Sequence, residues 1–214
     1  MSAPTAAPAA EPDYYRAWEA ARQVPYERVL AGEVEVGAWH ASVGRQWRER
    51  RPLCHRYAWA VPSNAALAFL VPFGPFVEIG AGTGYWAALL TARGADVVAY
   101  DIAVAGDNDH HGYCAVDDPF FPVRRGGVEP AGRHPDRTLF LCWPVLDEGV
   151  ASGALAAYAG AGGRTLAYIG EDADGCTGDW AFHEALVREW AVLAEHAIPQ
   201  WTGLHDRLTI YRRR

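Results

Sequence analysis

The residues best suited to chemistry in this chain form a glycine turn and an acid that follows it. The turn reads Glu78-Ile79-Gly80-Ala81-Gly82-Thr83-Gly84, between two apolar runs. A glycine turn between a strand and a helix lets a ligand approach the backbone closely. Asp101 ends the next apolar run, and an acid there can accept hydrogen bonds from a ribose diol. Together these residues predict a pocket for an adenosine-containing molecule.

Alternating strand and helix patterns must position these residues. The patterns predict strands at 76–79, 96–100, 120–123, 138–142, 165–169, 197–201 and 207–212, and helices at 84–92, 149–159 and 179–195. Such alternation predicts an α/β fold with a seven-stranded, mostly parallel, doubly wound sheet. The last two strands are separated by about five residues, which is too short for a parallel crossover. We therefore expect an antiparallel C-terminal hairpin.

The pattern also divides the chain into three parts. Residues 1–12 are rich in Ala and Pro, and we expect a disordered leader there. Residues 13–72 have helical spacing of apolar residues and predict an N-terminal helical extension that could act as a lid. Residues 73–214 form the α/β domain.

Composition limits the classes of partner. The formal net charge of −7 makes the chain a poor binder of nucleic acid or of an anionic membrane. The four cysteines form no C-x-x-C pair, so we expect no metal site. No secretory signal and no apolar segment near the ~20 residues that span a bilayer are visible. We expect a cytoplasmic protein with reduced thiols, and the oligomeric state stays open.

The glycine turn resembles the first motif of class I S-adenosylmethionine (SAM)-dependent methyltransferases, which is an acid, any residue and Gly-x-Gly-x-Gly. Asp101 matches the acid at the end of that family's second strand. Leu141-Cys142-Trp143-Pro144 stands where the family carries its fourth motif. The resemblance covers roughly residues 72–212. It implies a Rossmann-like domain, SAM as the cofactor and a small-molecule substrate.

The resemblance also implies a set of cofactor-binding residues, which comprises Glu78, Gly80, Ala81, Gly82, Gly84, Asp101, Ile102 and Cys142. The backbone of the glycine turn would pass beneath the methionine part of SAM. Glu78 would organise that turn or bind the amino group through water. Asp101 would take the ribose hydroxyls, and Ile102 would flank the adenine. Cys142 would present its backbone carbonyl to the amino group.

Aromatic and titratable residues supply the candidates for the acceptor side. Aromatic faces attract a sulfonium by ~0.5–2 kcal/mol, and the candidates for substrate binding are Tyr57, Trp59, Tyr85 and Trp143. Tyr57-Ala58-Trp59 could fold over the pocket mouth and exclude water. The catalytic candidates are Trp143 beside the transferable methyl, Glu171 after the fifth strand, and His110 as a base.

Several functions remain open at this point. The first is a methyltransferase that acts on a small-molecule acceptor. The second is a cyclase of the same fold, in which the amine of SAM attacks its own γ-carbon to give azetidine-2-carboxylate and methylthioadenosine. The third is a non-catalytic SAM-binding protein. A nicotinamide site is the most distant, since Gly82-x-Gly84-x-x-Ala87 sits two residues late after the strand.

Overall fold

A computed structural model describes residues 10–105, 112–114, 117–146 and 149–214. The strands are β1 (Phe76–Ile79), β2 (Val97–Asp101), β3 (Val123–Arg125), β4 (Thr138–Cys142), β5 (Thr165–Gly170), β6 (Trp190–His196) and β7 (Arg207–Arg213). They form one seven-stranded sheet in the order β3-β2-β1-β4-β5-β7-β6. The first five strands pair in parallel, and β7 lies antiparallel to both β5 and β6. This confirms the predicted fold class.

Helices cover both faces of the sheet. They are α1 (Asp13–Ala21), α2 (Glu27–Leu30), α3 (Val36–Arg56), α4 (Asn64–Leu70), α5 (Tyr85–Thr91), α6 (Val150–Gly160) and α7 (Trp180–Glu189). One apolar cluster packs α4 and α5 against the sheet, and a second packs α6 and α7 against the opposite face. The two clusters make a doubly wound arrangement, and β1 contributes residues to both of them.

Burial of β1 on both faces follows from its sequence. Phe76 belongs to the cluster with α4 and α5, whereas Val77 and Ile79 belong to the cluster with α6 and α7. Side chains alternate along a strand, so Glu78 lies on the same side as Phe76. A carboxyl group therefore lies in a strand whose four residues are all buried.

The C-terminal third differs from the sequence prediction in where the helix ends. The helix expected over 179–195 ends at Glu189, and Trp190–His196 is β6 rather than helix. Tertiary pairing with β7 overrides the helical pattern, and it leaves Val192 and Leu193 exposed on an edge strand. The strand expected at 197–201 is instead part of the connection to β7, and the hairpin itself is antiparallel as predicted.

The start of β3 was also predicted wrongly. The strand begins at Val123 instead of residue 120, because Phe120 donates its N–H to the Thr83 carbonyl and so pairs with the glycine turn instead. This displacement moves the carboxyl end of β3 to Arg125, so that Gly126 and Gly127 follow it directly.

The N-terminal helices pack against the α/β domain. A third buried cluster joins Tyr14 and Trp18 of α1 to Tyr85 of α5 and to Trp201 in the β6–β7 connection. Within the predicted leader, residues 1–9 lie outside the described residues, and Pro12 is buried. In the described part of the chain, no helix is both long enough and apolar enough to cross a bilayer.

Candidate functional site

A cavity of about 440 Å³ opens at the carboxyl ends of β1, β2 and β4. Its volume lies in the range of small-molecule sites. Its described lining residues are Cys54, Tyr57, Ala58, Trp59, Glu78, Ile79, Gly80, Ala81, Thr83, Trp86, Asp101, Ile102, Tyr113, Cys114, Gly126, Gly127, Val128, Cys142, Trp143, Pro144, Val145, Leu146, Val150 and Cys176. Ligands in open α/β sheets bind at this edge. The position agrees with the pocket predicted from the glycine turn.

The glycines of the turn have different environments. Gly80 has φ +73°, and a Cβ there would meet nothing within 4 Å, so its open side belongs to the cavity. Gly84 has φ +72°, and a Cβ there would come within 2.8 Å of the Phe121 Cβ. Gly80 therefore leaves space for a ligand, whereas Gly84 lets the next loop pack beneath the turn.

Asp101 ties the glycine turn to the end of β2. Its Oδ2 accepts the Gly82 N–H at 2.8 Å, and its Oδ1 accepts the Ala103 N–H at 2.9 Å. A carboxylate offers about four acceptor positions. Asp101 therefore holds the turn, and its carboxylate lies in the cavity wall as a hydrogen-bond acceptor.

Glu78 is a buried acid in the cavity wall. It is 2% exposed, and its Oε2 has no hydrogen-bond partner. Burial, with a smaller contribution from the charge of Asp101, raises the pKa of Glu78 to about 8. An unpartnered buried carboxyl beside a ligand cavity fits a ligand group that is cationic or donates hydrogen bonds.

All four cysteines of the chain line the cavity, although they are far apart in sequence. Burial raises the pKa of the Cys54 and Cys142 thiols, and it raises the pKa of Cys114 to about 12 and of Cys176 to about 11. The thiols therefore stay protonated at neutral pH. Among the described residues, no group of three or more His, Cys, Asp or Glu side chains could hold a metal ion.

Two tryptophans form an aromatic wall of the cavity. The rings of Trp59 and Trp143 stack with centroids 5.6 Å apart and planes 20° apart. Trp59 donates its Nε1–H to the Tyr113 carbonyl at 2.9 Å, and Trp143 donates its Nε1–H to the Asp206 Oδ2 at 2.8 Å. Both rings are fixed at the cavity by a hydrogen bond and by each other.

The structure brings most of the predicted site residues to this cavity. The predicted residues that line it are Tyr57, Trp59, Glu78, Gly80, Ala81, Asp101, Ile102, Cys142 and Trp143. Gly82 and Gly84 are absent from the lining, although Gly82 is held by Asp101. His110 lies outside the described residues.

Two predicted residues are placed elsewhere. Tyr85 packs among the rings of Tyr14, Tyr57 and Phe120, and its hydroxyl accepts the Tyr14 N–H at 3.2 Å. It is absent from the cavity lining because α5 turns its first side chain toward the N-terminal helices.

Glu171 is also absent from that lining. Its Oε1 accepts the His205 N–H at 2.7 Å, and its Oε2 accepts the Cys176 N–H at 2.9 Å. The carboxylate thus joins two loops, and with Cys176 and His205 it lines a neighbouring pocket instead.

Sequence reasoning missed several lining residues and their supports. Gly126, Gly127 and Val128 were missed because β3 was placed too early, and the correct end of the strand would have indicated them. Cys54 and Cys176 carry no spacing signal. Asp206, in the connection between β6 and β7, is buried and accepts a hydrogen bond from Trp143, and no sequence pattern relates it to the cavity.

The described lining carries formal charge only at Glu78 and Asp101. The cavity thus combines two acids near the glycine turn with an apolar, thiol-lined and aromatic remainder. Such a site suits a ligand with a cationic group, a hydroxylated sugar and an apolar or aromatic part.

Comparison with known proteins gives matches among solved structures alone: no family model and no curated protein matches the sequence. Magnesium protoporphyrin IX methyltransferase from Synechocystis PCC 6803, with bound SAM, is 15% identical and matches with a TM-score of 0.43 over 97% of this chain and 100% of that chain. Human N-acetylserotonin methyltransferase in complex with SAM is 12% identical, with a TM-score of 0.41 over 94% of this chain and 65% of that one.

A putative tRNA (m1A22) methyltransferase from Streptococcus pneumoniae, in complex with SAM, also matches. It is 10% identical, with a TM-score of 0.45 over 70% of this chain and 72% of that one. Likenesses at this level do not determine the function of this chain.

Proposed function

We propose that the protein binds SAM and transfers its methyl group to a small-molecule acceptor. The main support is the Glu78 carboxyl, which is buried in β1 with its Oε2 unpartnered at the cavity. A buried acid favours a cationic ligand, because pairing offsets the cost of burying a charge. SAM carries an ammonium and a sulfonium, and either matches this requirement.

The remaining lining fits the other parts of SAM. Asp101 lines the cavity at the end of β2, where a carboxylate can accept hydrogen bonds from the ribose hydroxyls. The open side of Gly80 leaves room for the methionine part. Ile102, Val128 and Val145 offer apolar contacts for the adenine ring.

SAM, when bound, supplies a methyl carbon that its sulfonium makes electrophilic. The chain would contribute alignment and exclusion of water, and alignment alone can supply several kcal/mol. Trp59 and Trp143 provide a rigid aromatic wall beside the cavity. The cavity thiols are poor competing nucleophiles, because burial raises the pKa of Cys54 and Cys142 and keeps both protonated.

A nicotinamide dinucleotide fits this lining less well. Its pyrophosphate needs cationic side chains or amide donors, whereas the charged residues of the described lining are both acids. A nucleic-acid substrate is disfavoured by the net charge of −7. These features support SAM as the ligand and a small molecule as the acceptor.

Calorimetry tests the first half of the proposal. We expect SAM and S-adenosylhomocysteine to bind and NAD not to bind. Glu78→Gln should weaken SAM, while Glu189→Gln is a matched control at an exposed ion pair far from the cavity. Binding of NAD in place of SAM would reject the assignment.

A turnover assay tests the second half. Incubation with SAM and a panel of small amines, phenols and carboxylates should release S-adenosylhomocysteine with at least one acceptor. Tight SAM binding with no product in any incubation would instead indicate a non-catalytic SAM-binding protein.

The size of the cavity favours a second candidate, the SAM cyclase. A volume of about 440 Å³ is near the lower end for a site that holds one drug-sized ligand. The two charged groups of the described lining are both needed for SAM, which leaves no charged group for a separate acceptor. Both features are compatible with SAM as the sole substrate.

Mass spectrometry of SAM incubated with the enzyme alone distinguishes the two reactions. The cyclase predicts azetidine-2-carboxylate and methylthioadenosine, formed faster than in a protein-free control. Methyl transfer predicts S-adenosylhomocysteine, and only when an acceptor is present.

A further inference from the structure

Trp143 has a backbone conformation that a tryptophan rarely adopts. Its φ is +55°, and it is the one non-glycine residue with a positive φ in the described ranges of the chain. This region is disfavoured for L-residues, and the following Pro144 restricts the backbone further. Such conformations persist where the surroundings hold them, and they cluster at functional sites.

Three contacts hold Trp143 in this conformation. Its backbone N–H donates to the Ile169 carbonyl at 2.8 Å, which fixes the chain at the end of β4. Its ring stacks on Trp59. Its Nε1–H donates to the Asp206 Oδ2 at 2.8 Å, which fixes the direction of the indole.

Burying the Asp206 carboxylate costs more free energy than burying a neutral hydrogen-bond acceptor would. Asp206 is 2% exposed, and its Oδ1 is buried without a partner. Burial is the main cause that raises the pKa of Asp206 to about 6, and the nearby Glu171 also raises it. The Trp143 hydrogen bond and Arg50 act in the opposite direction and lower it. An amide or a backbone carbonyl could accept the same indole proton without burying a charge.

The negative charge of Asp206 can strengthen the binding of a cation in the cavity through the Trp143 ring. A hydrogen bond from the indole N–H to an ionised carboxylate is stronger than one to a neutral acceptor, and it polarises the donor ring. A more electron-rich indole face attracts a cation more strongly. Asp206 itself is absent from the lining, so it would act through Trp143.

We propose that Asp206 is a positioning residue that orients Trp143 and strengthens the attraction of its ring for the sulfonium of SAM. This inference rests on the proposed function. It goes further because it assigns a role to a loop residue outside the cavity lining, and because it predicts discrimination between SAM and S-adenosylhomocysteine, whose sulfur is neutral.

Calorimetry at pH 8.5, where the Asp206 carboxylate is ionised, tests this proposal. Asp206→Asn keeps an oxygen that can accept the indole proton but removes the charge. We expect it to weaken SAM about tenfold, with S-adenosylhomocysteine changed less than about twofold. Asp206→Ala should weaken both ligands, because the indole loses its partner. Asp172→Asn, at an exposed ion pair with Arg207, should change neither.

A double-mutant cycle checks that Asp206 acts through the indole. In a Trp143→Phe background, Asp206→Asn should produce no further loss of SAM affinity, because phenylalanine offers no N–H to the carboxylate. Urea unfolding confirms that each variant is folded, and Asp206→Asn carries the test if Asp206→Ala does not fold.

Three results would overturn the proposal: equal loss of both ligands in Asp206→Asn, no loss of either, or an undiminished effect in the Trp143→Phe background. Failure of the wild-type protein to bind SAM would instead refute the proposed function. The two failures are therefore distinguishable.

Discussion

At the scale of single residues, Glu78 has opposite effects on stability and on binding. Its pKa is raised from 4.5 to about 8 by burial, so the folded protein binds more protons than the unfolded chain between these values. The stability of the unliganded protein must therefore fall as the pH rises through this window. In the unliganded protein the protonated form of Glu78 is favoured. A bound cationic ligand favours the ionised form instead, because it pairs with the carboxylate.

Glu78→Gln should make the unliganded protein more stable at pH 8.5, by on the order of 3 kcal/mol. The reason is that glutamine is neutral at every pH, whereas the glutamate must ionise while buried. The same variant should weaken SAM. Urea unfolding at pH 5.5 and 8.5 measures the stability, and the advantage of the variant should be clearly smaller at the lower pH.

The control for this prediction is the pH dependence of SAM affinity. In the wild type it should rise from pH 6 to 8 and then level off, with a proton released on binding. The variant should lack this rise. An unchanged stability difference between the two pH values would contradict the assignment of the raised pKa.

The glycine turn supports a second prediction at the residue scale. Gly84→Ala should lower the free energy of unfolding by about 2–4 kcal/mol, because the new Cβ would meet Phe121 at 2.8 Å in a strained backbone conformation. Gly80→Ala should cost only the strain, about 1 kcal/mol. For each variant the loss of SAM affinity can be compared with the loss of unfolding free energy. This ratio should be larger for Gly80→Ala than for Gly84→Ala. Unfolding and calorimetry on both variants measure these effects. Equal losses of stability would contradict the different environments assigned to Gly80 and Gly84.

The sequence predicts the site residues that lie at or near the carboxyl ends of the parallel strands. Glu78 was predicted from the glycine motif, Asp101 from its place at the end of the next strand, and Cys142 from the resemblance at the fourth motif, and all three line the cavity. Cys54, Cys176 and Asp206 come from a helix and two loops whose paths depend on tertiary packing. No spacing in the sequence relates them to the glycine turn.

At the scale of elements, local pattern predicted the parallel strands better than the end of α7. The Trp190–His196 segment has helical spacing, yet it pairs with β7 because that strand offers an unpaired edge beside β5. The start of α7 follows a local signal instead. Asp179 caps it, with Oδ1 accepting the Phe182 N–H at 3.1 Å.

Asp179 joins two helices, and this gives a prediction at the element scale. Its Oδ2 accepts the Ser152 N–H at 3.1 Å in the first turn of α6. Asp179→Ala should lower the free energy of unfolding by about 1–2 kcal/mol, because two amides lose their acceptor. SAM affinity should stay unchanged, since these residues are absent from the cavity lining. Thermal unfolding measures the stability and calorimetry measures the SAM affinity, with Asp174→Ala as the control. A loss of SAM affinity together with the loss of stability would show that the cap does affect the cavity.

At the scale of the whole molecule, the N-terminal helices are built into the fold. Trp201 donates its Nε1–H to the Tyr14 hydroxyl at 3.2 Å, and Trp18 donates its Nε1–H to the Gln200 carbonyl at 3.2 Å. These bonds connect α1 to the loop before β7, close to Asp206. Tyr57 and Trp59, which line the cavity, lie in the connection between α3 and α4. The extension therefore shapes the site through a packed interface.

This packing supports a prediction about cooperativity. Trp18→Ala removes a buried side chain and its hydrogen bond, and it should lower the free energy of unfolding by about 3–5 kcal/mol. If the helices and the sheet share one core, unfolding in urea should remain a single transition by fluorescence and circular dichroism. Trp47→Ala is the matched control, because Trp47 lies on α3 and is 75% exposed. It should change stability by less than about 0.5 kcal/mol. A separate low-urea transition, with the second midpoint equal to that of the wild type, would instead mean that the extension folds and moves independently of the α/β domain.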